Sequence, residues 1–267
     1  MQTLIGLVVS DVALLKAFAE GHKQVLDVTS GLAADRGTWG IGFHSHGEML
    51  IRKGPLTALK ETGVAPHLKD IRARHVMLFA ETSTLAKKLE DCSPLRYRDW
   101  LFSATGADSL GAGFAEAVQA RLPTYAFSTR RQPGNDEAVM MLTMAALERQ
   151  NARDTRDLTT RAIQKAVGIA AGQVAELAPS DVSVLAMVHV SGHLFAFALG
   201  RPLWIQRFRG TGDAARPGRL PRHEHLRALV IGDKTGDGAW EEVPVGLGVE
   251  VDASCEVHTF PLQLKTH

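Results

Sequence analysis

Side chains able to do chemistry are scattered along this chain. His44-x-His46 and His223-x-His225 each set two imidazoles at i and i+2, a spacing that turns both to one face of a strand and offers half a metal site. Nothing in the sequence brings the two pairs together, and Glu224 adds one carboxylate, so the expectation is solvent-facing histidines near a loop and no metal. Cys92 and Cys255 lie far apart and fit no metal or redox spacing. Both read as free thiols, with Cys255 packed in a strand. Thr3 is a nucleophile only if cleavage after Gln2 makes it the first residue. On a strand it points to the face opposite Gln2, so it reads as a packed or surface threonine. Arg207, Arg209, Arg216, Arg219, Arg222 and Arg227 form a basic patch with little aromatic interleaving beyond Phe208, which fits a solvated loop better than a nucleic-acid surface. Residues 96–106, RYRDWLFSATG, open like a strand and close on a glycine turn, with Ala104 and Thr105 where a catalytic donor would stand.

The elements that must position these groups follow from patterning. The chain has 267 residues, 45% hydrophobic and 22% charged, with a net charge of +1. That composition is globular and gives no global pull toward nucleic acid or anionic membrane. One large domain over 1–267 is expected. No leader is expected before the strand TLIGLVVS, and the best apolar run is broken by His189, Ser191, Gly192 and His193, so a cytoplasmic protein without a membrane span is expected. Asp11 offers an N-cap to a helix after that first strand. WGIGFHS and EMLIRKG flank His46-Gly47 as a hairpin, and LTALKETG reads as a short helix stopped by Gly63. In the middle, Asn135-Asp136-Glu137 caps one long helix and a second follows from Thr155. Strands then return, VSVLAMVHV and HLFAFALG joined at Ser191-Gly192, followed by PLWIQRF, LRALVIG and GVEVD. The Gly, Pro and Arg-rich stretch at 209–224 is expected to be a mobile loop. Strands, then helices, then strands predicts antiparallel sheets covered by helices.

Several short stretches, in order, resemble the class II glutamine amidotransferases. MQTLIGLVVSD keeps the Leu4 and Gly6 of the opening strand but has Gln2 where the family has its cysteine. RGTWGIGFH keeps Trp39, Gly40, Ile41 and Gly42, with Gly37 and Thr38 in place of Asp-Gly. Pro94, Trp100, Leu101, Phe102 and Gly106 match the following turn and strand. In that register Leu78 and Ala80 stand at the family's His and Arg positions, Cys92 and Ser93 at Thr and His, and Ala104 and Thr105 at His and Asn. Asn135-Asp136-Glu137 and WEEVPVG resemble later family segments.

The resemblance implies an α+β fold, a four-layer αββα sandwich of two antiparallel sheets of the N-terminal nucleophile hydrolase type. In that family a first-residue thiol attacks the glutamine amide and the freed α-amino group, with a pKa of about 7.7 to 8, acts as base. Gln2 has no nucleophilic atom, and a residue of its size is expected to leave Met1 in place. The family's Asn-Gly pair supplies the oxyanion donors, and loss of one costs on the order of 100 to 1,000-fold in turnover. Ala80 cannot clamp a substrate carboxylate as an arginine does. The expectation is a degenerate, non-catalytic relative, a binding, scaffolding or regulatory subunit with no cofactor, a protein partner, and a possible small-molecule ligand in the former glutamine pocket lined by Gln2, Thr38, Trp39, Gly40, Thr105 and Gly106. The alternative is an amide hydrolase or amidotransferase that uses noncanonical residues.

Overall fold

The computed structural model describes residues 1–32, 37–82, 89–122, 134–150, 158–190, 192–210 and 225–264. The chain opens with strand β1 (Gln2–Val9) and helix α1 (Leu15–Gly21). The hairpin β2 (Gly37–Ser45) and β3 (Glu48–Pro55) and the helices α2 (Leu56–Thr62) and α3 (Ala65–Leu68) follow. Next come β4 (His75–Thr82), β5 (Leu95–Tyr97), β6 (Trp100–Thr105) and α4 (Phe114–Arg121). The long helices are α5 (Asn135–Glu148) and α6 (Thr160–Leu177). The last strands are β7 (Val184–Val190), β8 (His193–Leu199), β9 (Trp204–Arg209), β10 (Arg227–Gly232), β11 (Glu241–Glu242), β12 (Leu247–Val251) and β13 (Val257–Pro261).

Two sheets result, in the orders β11-β9-β10-β1-β4-β2-β3 and β13-β12-β8-β7-β6-β5. Every pairing between neighbours is antiparallel. Their side chains divide by strand parity. Ile5, Leu7, Val9, Val76, Leu78, Ala80, Trp39, Ile41 and Phe43 pack under α1, α2 and α3. Phe102, Ala104, Val188 and Phe195 pack under α4, α5 and α6. Leu4, Val8, Met77, Phe79, Leu101, Met187, Leu194 and Ile231 fill the seam between the sheets. Both faces of each sheet are therefore covered, which explains why stretches such as Leu4–Val9 of β1 read as apolar runs without alternation. The chain is an α+β four-layer αββα sandwich of two antiparallel sheets, as expected.

Local details follow the sequence with three differences. Hairpin β2–β3 turns on His46 and Gly47, both at positive φ (52° and 82°), the backbone of a two-residue type I′ loop. Gly63, at φ 70°, ends α2 as expected. Asn135 does not cap α5, whose N-cap is Gly134 without a side-chain bond. Instead Asn135 Nδ2 donates to the carbonyls of Ala107 and Gly111, each at 3.0 Å, tying α5 to the loop after β6. The second long helix begins at Thr160, with the hydroxyl of Thr159 accepting from Ala162 N at 3.2 Å; Thr155 lies outside the described residues. Cys255 is not in a strand: it sits at φ 61° in the turn between β12 and β13, with its thiol donating to the Arg227 carbonyl at 3.4 Å. Most of the stretch at 209–224, with Arg216, Arg219, Arg222, His223 and Glu224, lies outside the described residues.

Candidate ligand site at the head of the first strand

The candidate site is built by parity at one end of the seam. Gln2 shares the face of Leu4, and Leu4 belongs to the inter-sheet core. Gln2 pairs in register with Glu81 on β4, and on that strand Met77 and Phe79 face the seam. Glu81 follows them by alternation, whereas Leu78 and Ala80 point under the helices. Leu78 and Ala80 thus lie away from the seam, and Phe79 and Glu81 occupy its face. From the other sheet, Leu101 faces the seam, and Ser103 and Thr105 follow it by the same alternation.

The Gln2 carboxamide is fixed at both ends. Its Oε1 accepts from the Gly106 amide at 2.7 Å, and its Nε2 donates to Glu81 Oε2 at 3.2 Å. The other carboxylate oxygen of Glu81 accepts from Thr38 Oγ1 at 3.3 Å, so this nearly buried acid (2% exposed) holds Gln2 and Thr38 together. Gly106 can present its N–H there only because it is glycine. Its φ is 74°, and a Cβ would fall 1.8 Å from the Ser183 carbonyl oxygen. The backbone turn is held from below by Ser109, whose hydroxyl donates to the Gly106 carbonyl at 2.7 Å and accepts from Ser183 N at 2.9 Å.

A second polar network stands beside the first. Arg201 Nη1 donates to Thr105 Oγ1 at 3.2 Å, and Arg201 Nη2 is ion-paired with Asp233 Oδ1. Asp233 Oδ2 accepts from the Leu4 amide at 2.8 Å, so the network clamps β1 to the turn after β8. Burial pushes the Asp233 carboxyl pKa up, against the downward pull of the Arg201 charge and the Leu4 amide.

Of the expected pocket residues, Gln2, Thr38, Thr105 and Gly106 come together through these bonds. Gly40 faces the seam but is roofed by the next turn, since a Cβ there would lie 2.4 Å from Ser93 O and Pro94 Cδ. Trp39 is on the wrong side: its ring packs under the helices, 4.5 Å between centroids from His67. It fails as a pocket wall because adjacent strand residues face opposite ways. Thr3 likewise turns away from the Gln2 side, as expected. Sequence reasoning missed Glu81, Arg201 and Asp233. Correct strand parity through Phe79 would have found Glu81; no local signal pointed to the other two. Among the described residues no group of His, Cys, Asp or Glu side chains is arranged to hold a metal ion.

No family model matches the sequence, and no curated protein matches it. Solved structures do. A glutamine aminotransferase class-II domain protein from Silicibacter pomeroyi aligns over 98% of this chain and 99% of its own, with a TM-score of 0.57 and 11% identity. A predicted glutamine amidotransferase from Pseudomonas aeruginosa aligns over 96% and 95%, at 0.55 and 15%. The glutamine phosphoribosylpyrophosphate amidotransferase of B. subtilis aligns over 99% of this chain but 50% of its own, at 0.55 and 10%.

Proposed function

We propose that this chain, which carries the fold of class II glutamine amidotransferase domains, is a non-catalytic relative that works as a binding or scaffolding subunit. One observation carries the reading: the carboxamide of Gln2 fills the polar end of the seam, its oxygen on the Gly106 N–H and its nitrogen on Glu81. A glutamine side chain of the protein itself makes there the bonds that a bound amide would make. The position offers no thiol or hydroxyl for attack on a carbonyl. Glu81 on the inner face of β4 also opposes a substrate carboxylate, because two like charges at close range in a buried site are strongly unfavourable.

On this reading the protein is one cytoplasmic domain whose role lies in contacts with a protein partner, with any small ligand at this end having to displace Gln2. No cofactor and no nucleic acid is invoked. Glutamine hydrolysis by purified protein, followed by NMR for glutamate over many hours, tests the reading. No glutamate above a heat-killed control is the expected result. Turnover abolished by substitution of Thr3 or Thr105 would overturn it and establish a replacement chemistry.

A further inference from the structure

At the opposite end of the seam from Gln2, three imidazoles, those of His44, His75 and His189, converge from both sheets. Val8 pairs with His75 where Gln2 pairs with Glu81, so the two ends are about 20 Å apart along β4. His75 begins β4, His44 lies near the end of β2 and His189 near the end of β7; His193, at the start of β8, turns to the helix face instead. The rings of His75 and His189 lie 5.1 Å apart between centroids, and those of His44 and His189 6.4 Å. His189 is fully enclosed and neither of its ring nitrogens has a hydrogen-bond partner; Nε2 of His75, a residue only 4% exposed, has none either. Buried polar atoms left this way are costly and call for a ligand or water.

Beside them opens a cavity of about 250 Å3 lined by His44, Ser45, His46, Arg72, Arg74 and His75, among others. Among the described residues no carboxylate lines it. Two acids lie nearby, and the charge of Asp252 acts on His75. Glu250 accepts from His193 Nδ1 at 2.8 Å and also holds Gln164. Asp252 Oδ1 accepts from the amides of Ser254 and Glu256 at 2.8 and 3.0 Å. The wall therefore presents two guanidinium groups, three imidazoles and a hydroxyl. The two guanidinium groups suit an oxyanion, whose oxygens accept several N–H bonds at once.

We propose that this cavity binds a small phosphate-type oxyanion, held by Arg72 and Arg74 with His75 at its inner wall. The volume admits inorganic phosphate or the phosphate end of a monoester, but not a nucleotide seated whole. A bound anion also changes the charge felt by His75. Burial, together with His193 and Arg74, pushes the pKa of that ring down to about 4 against the upward pull of the Asp252 carbonyl and carboxylate, and a bound anion adds to that upward pull.

The test is an NMR titration of the intact chain with inorganic phosphate, and separately with glycerol 3-phosphate, following the His75 ring and the Gly192 amide. The expected result is saturable shifts at both, a rise in the His75 titration midpoint, and affinity reduced at least about tenfold when Arg72→Ala and Arg74→Ala are combined. Both arginines are exposed, so that variant should keep its thermal midpoint. Tighter binding of glycerol 3-phosphate would assign a monoester, and equal binding would assign inorganic phosphate; either supports the site. Vesicles of anionic lipid serve as a third arm, where co-sedimentation without any response to free phosphate would overturn it. So would unchanged affinity in the double variant, or zinc binding at His75 and His189 with no phosphate response.

Discussion

The side-chain oxygen of Gln2 lies 2.7 Å from the amide nitrogen of Gly106, two residues separated by 104 positions. This bond joins the first strand of one sheet to the turn leaving a strand of the other. It closes the polar end of the seam with atoms of the chain itself.

Removing the carboxamide should therefore weaken the fold. Gln2→Ala leaves the Gly106 N–H without its acceptor and takes one donor from the nearly buried Glu81. A loss of about 1–3 kcal/mol is expected from equilibrium urea unfolding. Gln2→Glu should cost more at neutral pH, because it sets a second carboxylate against Glu81. A Gln2→Glu protein as stable as the parent at pH 7.5 would remove Glu81 from the site as drawn.

The Arg201–Asp233 pair gives an asymmetric prediction. Arg201→Ala strands a carboxylate that is 9% exposed, at a cost of about 3 kcal/mol, with the partial exposure of the arginine keeping it near the low end for buried pairs. Asp233→Asn keeps an oxygen for the Leu4 amide and should cost less. Because the folded-state pKa of Asp233 is raised, the folded protein holds its proton more tightly than the unfolded chain. Its contribution to stability thus falls as pH rises through that window, and Arg201→Ala should steepen the fall. Chemical denaturation of both variants from pH 4 to 7 measures it.

The buried histidines act with the opposite sign in acid. The folded-state pKa of His75 is pushed down to about 4, and that of His189 is also well below its ordinary value, chiefly by burial. Between pH 6.5 and 4 the unfolded chain binds more protons at these rings, so stability should fall as pH drops through that interval. The slope for one such ring approaches about 1.4 kcal/mol per pH unit. His189→Phe should flatten the decline, read from urea midpoints at pH 7.5, 5.5 and 4.5.

Cys255 is expected to be a slow thiol. Burial pushes its pKa up to about 11, so little thiolate exists near neutrality. Alkylation by iodoacetamide should be sluggish at pH 8 and rise with a midpoint near 11. Fast labelling of Cys255 at pH 7 would contradict the packed position of its sulfur over the Val8 and Arg227 carbonyls.

The sequence by itself determined the local structure: the apolar strands, the His46-Gly47 hairpin, the helix stopped at Gly63, and the strand-helix-strand order that a four-layer sandwich requires. These properties are encoded within a few residues of each position, by period, turn chemistry and propensity. The grouping of Gln2, Thr38, Thr105 and Gly106 was only implied by the resemblance in motif order. Tertiary structure decided which face each strand residue shows. A one-residue difference in register exchanges Ala80 for Glu81 and turns Trp39 away from the site, and no short motif fixes that choice. It alone brought Arg201 to Asp233 and gathered His44, His75 and His189 at the far end of the seam. These partners come from different strands and turns, and only the stacking of two sheets sets the distances between them.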